Sequence, residues 1–249
     1  MKKFSILLVC LFFALGTMWA DDRDKTIDRV DDAGTILNQI MSAPDSGIPE
    51  EILDSAKCVA VVPSLLKGGF GFGGAYGKGV ASCRTDKGWS APAFFTVKGG
   101  SFGLQIGAQA VDLVMVIMND QGMKNLLKSK FELGADASAA AGPVGRHASA
   151  DTDWQMRAQI LTYSRARGVF AGLTLKGSLV TQGKDETRAF YGRMVPFRTI
   201  LNGNVAAPED SKPFLEALVK YGGGPTSPAK TAPTSTTPAP AAASTTSGK

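Results

Sequence analysis

The chain is expected to fold as an α+β domain, a curved or barrel-like antiparallel β-sheet with N-terminal and C-terminal helices. Three observations predict this. Residues 58–192 alternate glycines and small residues with aliphatics and aromatics, the period-two pattern of half-buried strands. Glycines recur inside those runs, as in Gly69-Phe70-Gly71-Phe72-Gly73-Gly74, where strands approach closely or bend. The longer helical stripes stand at the two ends, so strands come in one run with helices outside it.

In chain order, residues 24–41 place Ile27, Val30, Leu37, Ile40 and Met41 along one helical face, ended by Pro44 and Gly47. Pro49 opens a short helix over 50–56, whose acids suit an N-terminus. Residues 58–62 form a strand that Pro63 is expected to close. Residues 69–76 set Phe70 and Phe72 on one strand face and bare backbone on the other. Strands are expected at 79–84, 91–97, 101–110 and 113–118, then a short helix at 122–128. The small-residue run 134–145 has no clear period. Residues 158–164 and 168–180 are expected to be strands, with 189–191 as a further short one. The last element is a helix over 211–221, with Phe214, Leu215, Leu218 and Tyr221 on one face and Gly222 as its stop.

The ends divide the chain into three parts. Residues 1–20 are expected to be a secretory signal peptide: Lys2 and Lys3, an apolar stretch over 4–15, and Ala20 before Asp21-Asp22. That stretch is shorter than the ~20 residues a membrane span needs. Cys10 lies inside it, too early for a lipoprotein site. The mature protein is therefore expected to be exported, periplasmic or extracellular. Residues 21–223 suit a single domain with a sizeable core. Residues 224–249, rich in Pro, Thr, Ser and Ala, cannot bury enough apolar surface to offset ordering entropy and are expected to be a disordered tail.

The formal net charge is +5, but Lys2, Lys3, Lys230 and Lys249 account for four of these charges, so the domain itself is near neutral. Near neutrality, export and the lack of a basic-aromatic patch exclude nucleic acid as a partner. Two cysteines outlast signal removal, Cys58 and Cys83. An isolated pair in an oxidising compartment is usually a bridge, and two buried free thiols on different strands are the alternative.

Several motifs imitate active sites. Gly69 to Gly74 matches G-x-G-x-x-G, but a dinucleotide site needs a helix to start there, and the sequence continues as strand. Gly99-Gly100-Ser101-Phe102-Gly103 matches the nucleophile elbow, with Asp112, Asp120 or Asp136 and then His147 in hydrolase order. An elbow must lead into a helix. Residues 104–110 alternate like a strand instead, and Gly103 and Gly107 would each cost a helix about 1 kcal/mol. His147 is the one histidine of the chain and has no second ligand at metal spacing, so no metal or other cofactor is expected. Asp112 interrupts the apolar run Ala110-Val111-Asp112-Leu113-Val114-Met115. A buried acid must be hydrogen-bonded, and Asp112 is expected to hold backbone N–H groups at a bend, as is Asp136.

The succession CVAVVPS, GGFGFGGAYGKGV, GGSFGLQIGAQAVDLVM, FELGADASAAAGPVGR and SRARGVFAGLTLKGS, over residues 48–192, is similar to the SYLF family. Members of that family bind lipids, and some eukaryotic members also bind actin. The resemblance implies a lipid or membrane surface as partner, with a protein partner as the other reading. The chain departs from lipid-binding relatives in one respect. Its N-terminal helix carries Asp21, Asp22, Asp24, Asp28, Asp31 and Asp32 against Arg23, Lys25 and Arg29, a face that repels anionic headgroups.

The chain is thus expected to be an exported, non-enzymatic lipid- or membrane-surface-binding module. A Ser101 hydrolase and a structural or protein-interaction module are the alternatives. The expected contact is Lys67, Phe70, Phe72 and Lys78, an apolar body with a cation at each end. The competing account places Phe70 and Phe72 in the core. Lys98, Arg146, Arg165 and Arg167 are read as scattered solvated charges.

Overall fold

The computed structural model describes residues 2–43, 47–70, 72–102, 107–143, 158–166, 169–171, 175 and 177–224, with side chains from residue 21 onward except at 69–73, 100–108, 166 and 169–171. Helices α1 (Lys2–Met41) and α2 (Glu50–Asp54) precede the strands β1 (Cys58–Phe70), β2 (Phe72–Thr85), β3 (Gly88–Trp89), β4 (Ala93–Phe102) and β5 (Gly107–Ile117). Then follow α3 (Asp120–Leu126), β6 (Lys130–Glu132), β7 (Ala139–Ala141), β8 (Ile160–Ala166), β9 (Val169–Ala171) and β10 (Ser178–Gln182). The chain closes with α4 (Lys184–Tyr191), α5 (Phe197–Leu201), a 3-10 turn (Glu209–Ser211) and α6 (Lys212–Gly222).

The strands order as β6-β10-β4-β2-β1-β5-β8-β7, with β3 paired to β2 and β9 to β8. The named strands pair antiparallel except β7 with β8, which run parallel. The result is a curled, half-barrel antiparallel sheet with helices from both ends of the chain, the expected α+β class.

Glycine permits the curl. A Cβ at Gly79 would stand 2.5 Å from the Val61 carbonyl oxygen and 2.6 Å from Phe95 Cζ, distances that no side chain tolerates. The backbone of β2 therefore lets Phe95 of its neighbour close over it, drawing the sheet inward.

Alternation along the strands feeds two cores. Cys58, Ala60, Val62, Phe95, Leu113 and Met115 face the concave side, where α5 adds Phe197, Ile200 and Leu201. Val59, Val61, Val80, Phe94, Val114 and Val116 face the other side, beneath Val30, Leu37 and Ile40 of α1 and Phe214 and Leu218 of α6. The two helices cross so closely that a Cβ on Gly34 would lie 2.5 Å from the Pro213 carbonyl oxygen. Arg84 ties the end of this layer together. Its guanidinium donates to the carbonyls of Leu53 (3.2 Å), Gly222 (2.6 Å) and Gly224 (3.1 Å) and lies 4.6 Å from the Trp89 ring centroid.

Cys58 and Cys83 stand opposite each other in the β1–β2 register, fully buried, with sulfurs 2.02 Å apart. The bridge is formed, and the alternative of two free thiols is not.

Several expectations change. Helix α6 runs through Gly222, the expected stop, and ends at Gly223, whose φ is 73°. Strand β1 does not stop at Pro63 but runs to Phe70, because register shifts on both its neighbours absorb the proline in a bulge. The expected strand 69–76 spans the β1–β2 hairpin, so Phe70 and Phe72 stand on two strands rather than one, and the expected strand 101–110 spans the end of β4 and the start of β5. The expected strand 168–180 is likewise two strands, β9 and β10. Residues 189–191 are the last turn of α4 rather than a strand: Asp185 and Glu186 in its first turn and left-handed Gly192 (φ 67°) after it set that helix. Helix α5 shows no sequence period long enough to mark it.

Candidate functional site

The bulge divides β1 into two regimes. Ser64 adopts φ 51°, and its N–H donates to Asp112 Oδ1 at 3.2 Å. Asp112 Oδ2 accepts from Arg165 Nη2 at 2.8 Å across the β5–β8 pair. Asp112 thus holds a backbone N–H at a bend, as expected, and Arg165 is its counter-ion rather than a solvated charge. Asp136 does the same for the Glu132 N–H at 2.8 Å.

Beyond the bulge the helix layer no longer covers the sheet. Leu65 remains in the concave core, whereas Leu66 is 57% exposed and Tyr76 45% exposed. Leu66 stands opposite Tyr76 on β2 and opposite Ala110 on β5, so the three share one face. They help line an open cavity of about 400 Å³ with Lys67, Gly68 and Gly74. Lys98 lies opposite Tyr76 on β4, with its ammonium 5.8 Å from the ring centroid.

The four expected contact residues are not brought together as one cluster. Lys67 borders the cavity, but it follows Leu66 directly on a strand, so alternation turns its side chain to the concave face opposite Ala75 and Gln109. Burial lowers the pKa of its ammonium. Lys78 shares the face of Tyr76, yet its ammonium is paired with Glu186 of α4. Phe70 and Phe72 pair at the end of the β1–β2 hairpin, and their side chains lie outside the described residues. The cation that accompanies the patch is Lys98. The sequence signal for the patch was the doublet Leu65-Leu66 after Pro63, two apolar neighbours that one face of a regular strand cannot hold.

Next to the patch is a polar cavity of about 240 Å³ between α1, α4 and β2, bordered by Asp22, Lys25, Arg29, Lys78, Asp185 and Glu186. Burial raises the Glu186 pKa, but the Lys78 hydrogen bond and the charges of Lys78 and Arg29 outweigh it and hold the carboxyl below its ordinary range. Burial lowers the Arg29 pKa against the nearby Glu186 and Tyr76. Along α1, burial and then Asp31 and Asp28 raise the Asp32 pKa, the electrostatic signature of a crowded acidic face.

The hydrolase arrangement finds no support among the described residues. Ser101 lies within β4 opposite Gly73, and the next described element is strand β5, not the helix an elbow requires. His147, Arg146 and Arg167 lie outside the described residues, as does the tail from residue 225. No helix among the described residues is long and apolar enough to cross a membrane.

Residues 98–221 match the family described as Ysc84, Las17-binding protein actin regulator. The chain is 32% identical over 185 residues to Protein YSC84 of Saccharomyces cerevisiae, covering 73% of this chain and 39% of that protein. It is 32% identical over 185 residues to LAS seventeen-binding protein 3 of the same organism, covering 73% and 40%. It is also 32% identical over 182 residues to SH3 domain-containing YSC84-like protein 1 of Mus musculus, covering 72% and 53%. The chain thus spans about half or less of the length of these curated relatives. The family description and the name of LAS seventeen-binding protein 3 describe binding proteins. With the expected fold and the family match over β4 to α6, the chain belongs to the Ysc84/SYLF domain family.

Proposed function

We propose that the protein is an exported, non-enzymatic module that docks on a lipid surface through the uncovered end of its sheet. The carrying observation is the Leu66–Tyr76–Ala110 face with Lys98 beside it: apolar side chains in water next to a cation. An amphipathic surface of that kind suits the boundary between headgroups and acyl chains. Burying Leu66 and Tyr76 would contribute on the order of 3 kcal/mol. Export is supported by the signal-like residues 1–20 and by the Cys58–Cys83 bridge, which an oxidising compartment preserves.

Co-flotation of the mature protein, residues 21–249, with phospholipid vesicles tests this. Leu66→Ser with Tyr76→Ser should lower partitioning roughly a hundredfold, by the equivalence of about 1.4 kcal/mol per tenfold, without changing the fold. Wild-type protein that stays with the aqueous fraction would end the proposal. The names of the relatives favour a second reading, a protein partner on the same face. Under that reading the wild type does not float, and the double variant loses a protein complex instead.

A further inference from the structure

We propose that the polar cavity beside the patch is a headgroup site for a zwitterionic lipid of the phosphocholine or phosphoethanolamine type, whose apolar part lies along Leu66 and Tyr76. This rests on the membrane-docking reading above and names the lipid class for it.

The two surfaces are continuous. Tyr76 borders the apolar cavity and Lys78 the polar one, and they are alternate residues of β2, so they share a face about 7 Å apart. Arg29 of α1 lies close enough to both Tyr76 and Glu186 to feel them electrostatically.

The charges of the polar cavity then select the ligand. Lys78 and Glu186 neutralise each other, and Lys25 is paired with Asp21. What remains at the cavity is one guanidinium, Arg29, and two exposed carboxylates, Asp22 and Asp185. An anionic headgroup would meet the carboxylates and a cationic one would meet the guanidinium. A headgroup carrying both a phosphate and an amine matches both.

Arg29 supplies the sharpest observation. Its Nη1 is buried and makes no hydrogen bond among the described residues. A charged donor left without an acceptor is costly, and a turn of the half-buried Arg29 side chain brings it to a phosphate in the cavity it borders, whose oxygens fit the planar guanidinium better than any neutral acceptor. At about 240 Å³ the cavity falls below the roughly 300–1,000 Å³ of sites for drug-sized ligands, which suits a headgroup whose chains lie elsewhere.

The test is co-flotation of the mature protein, residues 21–249, with vesicles of pure phosphatidylcholine and of pure phosphatidylglycerol. Wild-type protein should prefer phosphatidylcholine at least tenfold. Arg29→Gln should lose at least tenfold on phosphatidylcholine, and Asp22→Asn with Asp185→Asn should move the preference at least fivefold towards phosphatidylglycerol. Equal or stronger wild-type binding to phosphatidylglycerol overturns the proposal, as does Arg29→Gln that binds phosphatidylcholine like wild type. Should Arg29→Gln lower the thermal midpoint, the exposed pair decides alone, and an unmoved preference overturns the proposal. Flotation with neither vesicle would instead remove the membrane-docking reading on which this one stands.

Discussion

The same four strands, β1, β2, β4 and β5, build two unlike regions. At the Cys58 end they are sealed on both faces, with Val59 and Val61 under helices, Ala60 and Val62 in the concave core, and a cystine fixing the register. Beyond Ser64, Leu66 and Tyr76 face solvent and glycines replace aliphatics. No change of strand pairing separates the two, because β1 keeps β2 and β5 as neighbours throughout. The difference lies in what covers the sheet, which teaches that one sheet can be sealed at one end and open to solvent at the other.

The sharpest way to break that comparison is to truncate each region equally. Phe94, fully buried and 5.1 Å from the Phe190 ring centroid, should cost about 3–5 kcal/mol as Phe94→Ala in urea denaturation. Leu66→Ala should stay within about 0.5 kcal/mol of wild type. Similar losses for both would mean that the hairpin end is core after all.

The cystine should come next in size. Its partners are 25 residues apart, and closing such a loop stabilises by roughly 3 kcal/mol in the chain-entropy model. Cys58→Ala with Cys83→Ala should lower the urea midpoint accordingly. Thiol titration of the unfolded, unreduced protein should find neither cysteine reactive, and reactive thiols at both would refute the bridge.

The boundary between the regions should be worth less. Asp112→Asn removes the partner of Arg165 and weakens the acceptor of the Ser64 N–H, at a cost of about 1–3 kcal/mol. If the bulge divides the sheet as described, this variant should also blunt vesicle binding, and an unchanged affinity would detach the bulge from the patch.

The smallest effect is pH-dependent. The Glu186 carboxyl is held below its ordinary range, so its ionised form is favoured by folding. Its stabilisation is fully present above the unfolded carboxylate pKa of about 4.3 and is lost as pH falls through the depressed folded value. Glu186→Gln should therefore be less stable than wild type at neutral pH, and the gap should close as the solution is acidified. A gap that widened in acid would reverse the assigned sign.

Much of the sealed region was legible in the sequence, because burial imposes periodicity. The stripe on α1, the stripe on α6, and the alternation of β1 and β5 all follow from it, although α6 stops one residue later than expected, at Gly223. The role of Asp112 was legible too, since a lone acid in an apolar run must find a donor. The uncovered end was harder to read. Lys67 and Lys78 flank the hairpin in sequence, but alternation sends Lys67 to the other face, and Glu186, more than a hundred residues on, neutralises Lys78. Lys98 reaches Tyr76 only through strand register, which no local pattern encodes. Residues 189–191 misled because three residues cannot distinguish a strand from the last turn of a helix.

The central claim is that the uncovered end, and not the sealed end, meets the membrane. Amide hydrogen exchange of the mature protein, residues 21–249, with and without phosphatidylcholine vesicles tests it most directly. The account predicts added protection in peptides spanning 65–78, 96–100 and 107–111, with none in 56–62 or 212–222. Protection confined to α1 and α6, with the hairpin end unchanged, would contradict it.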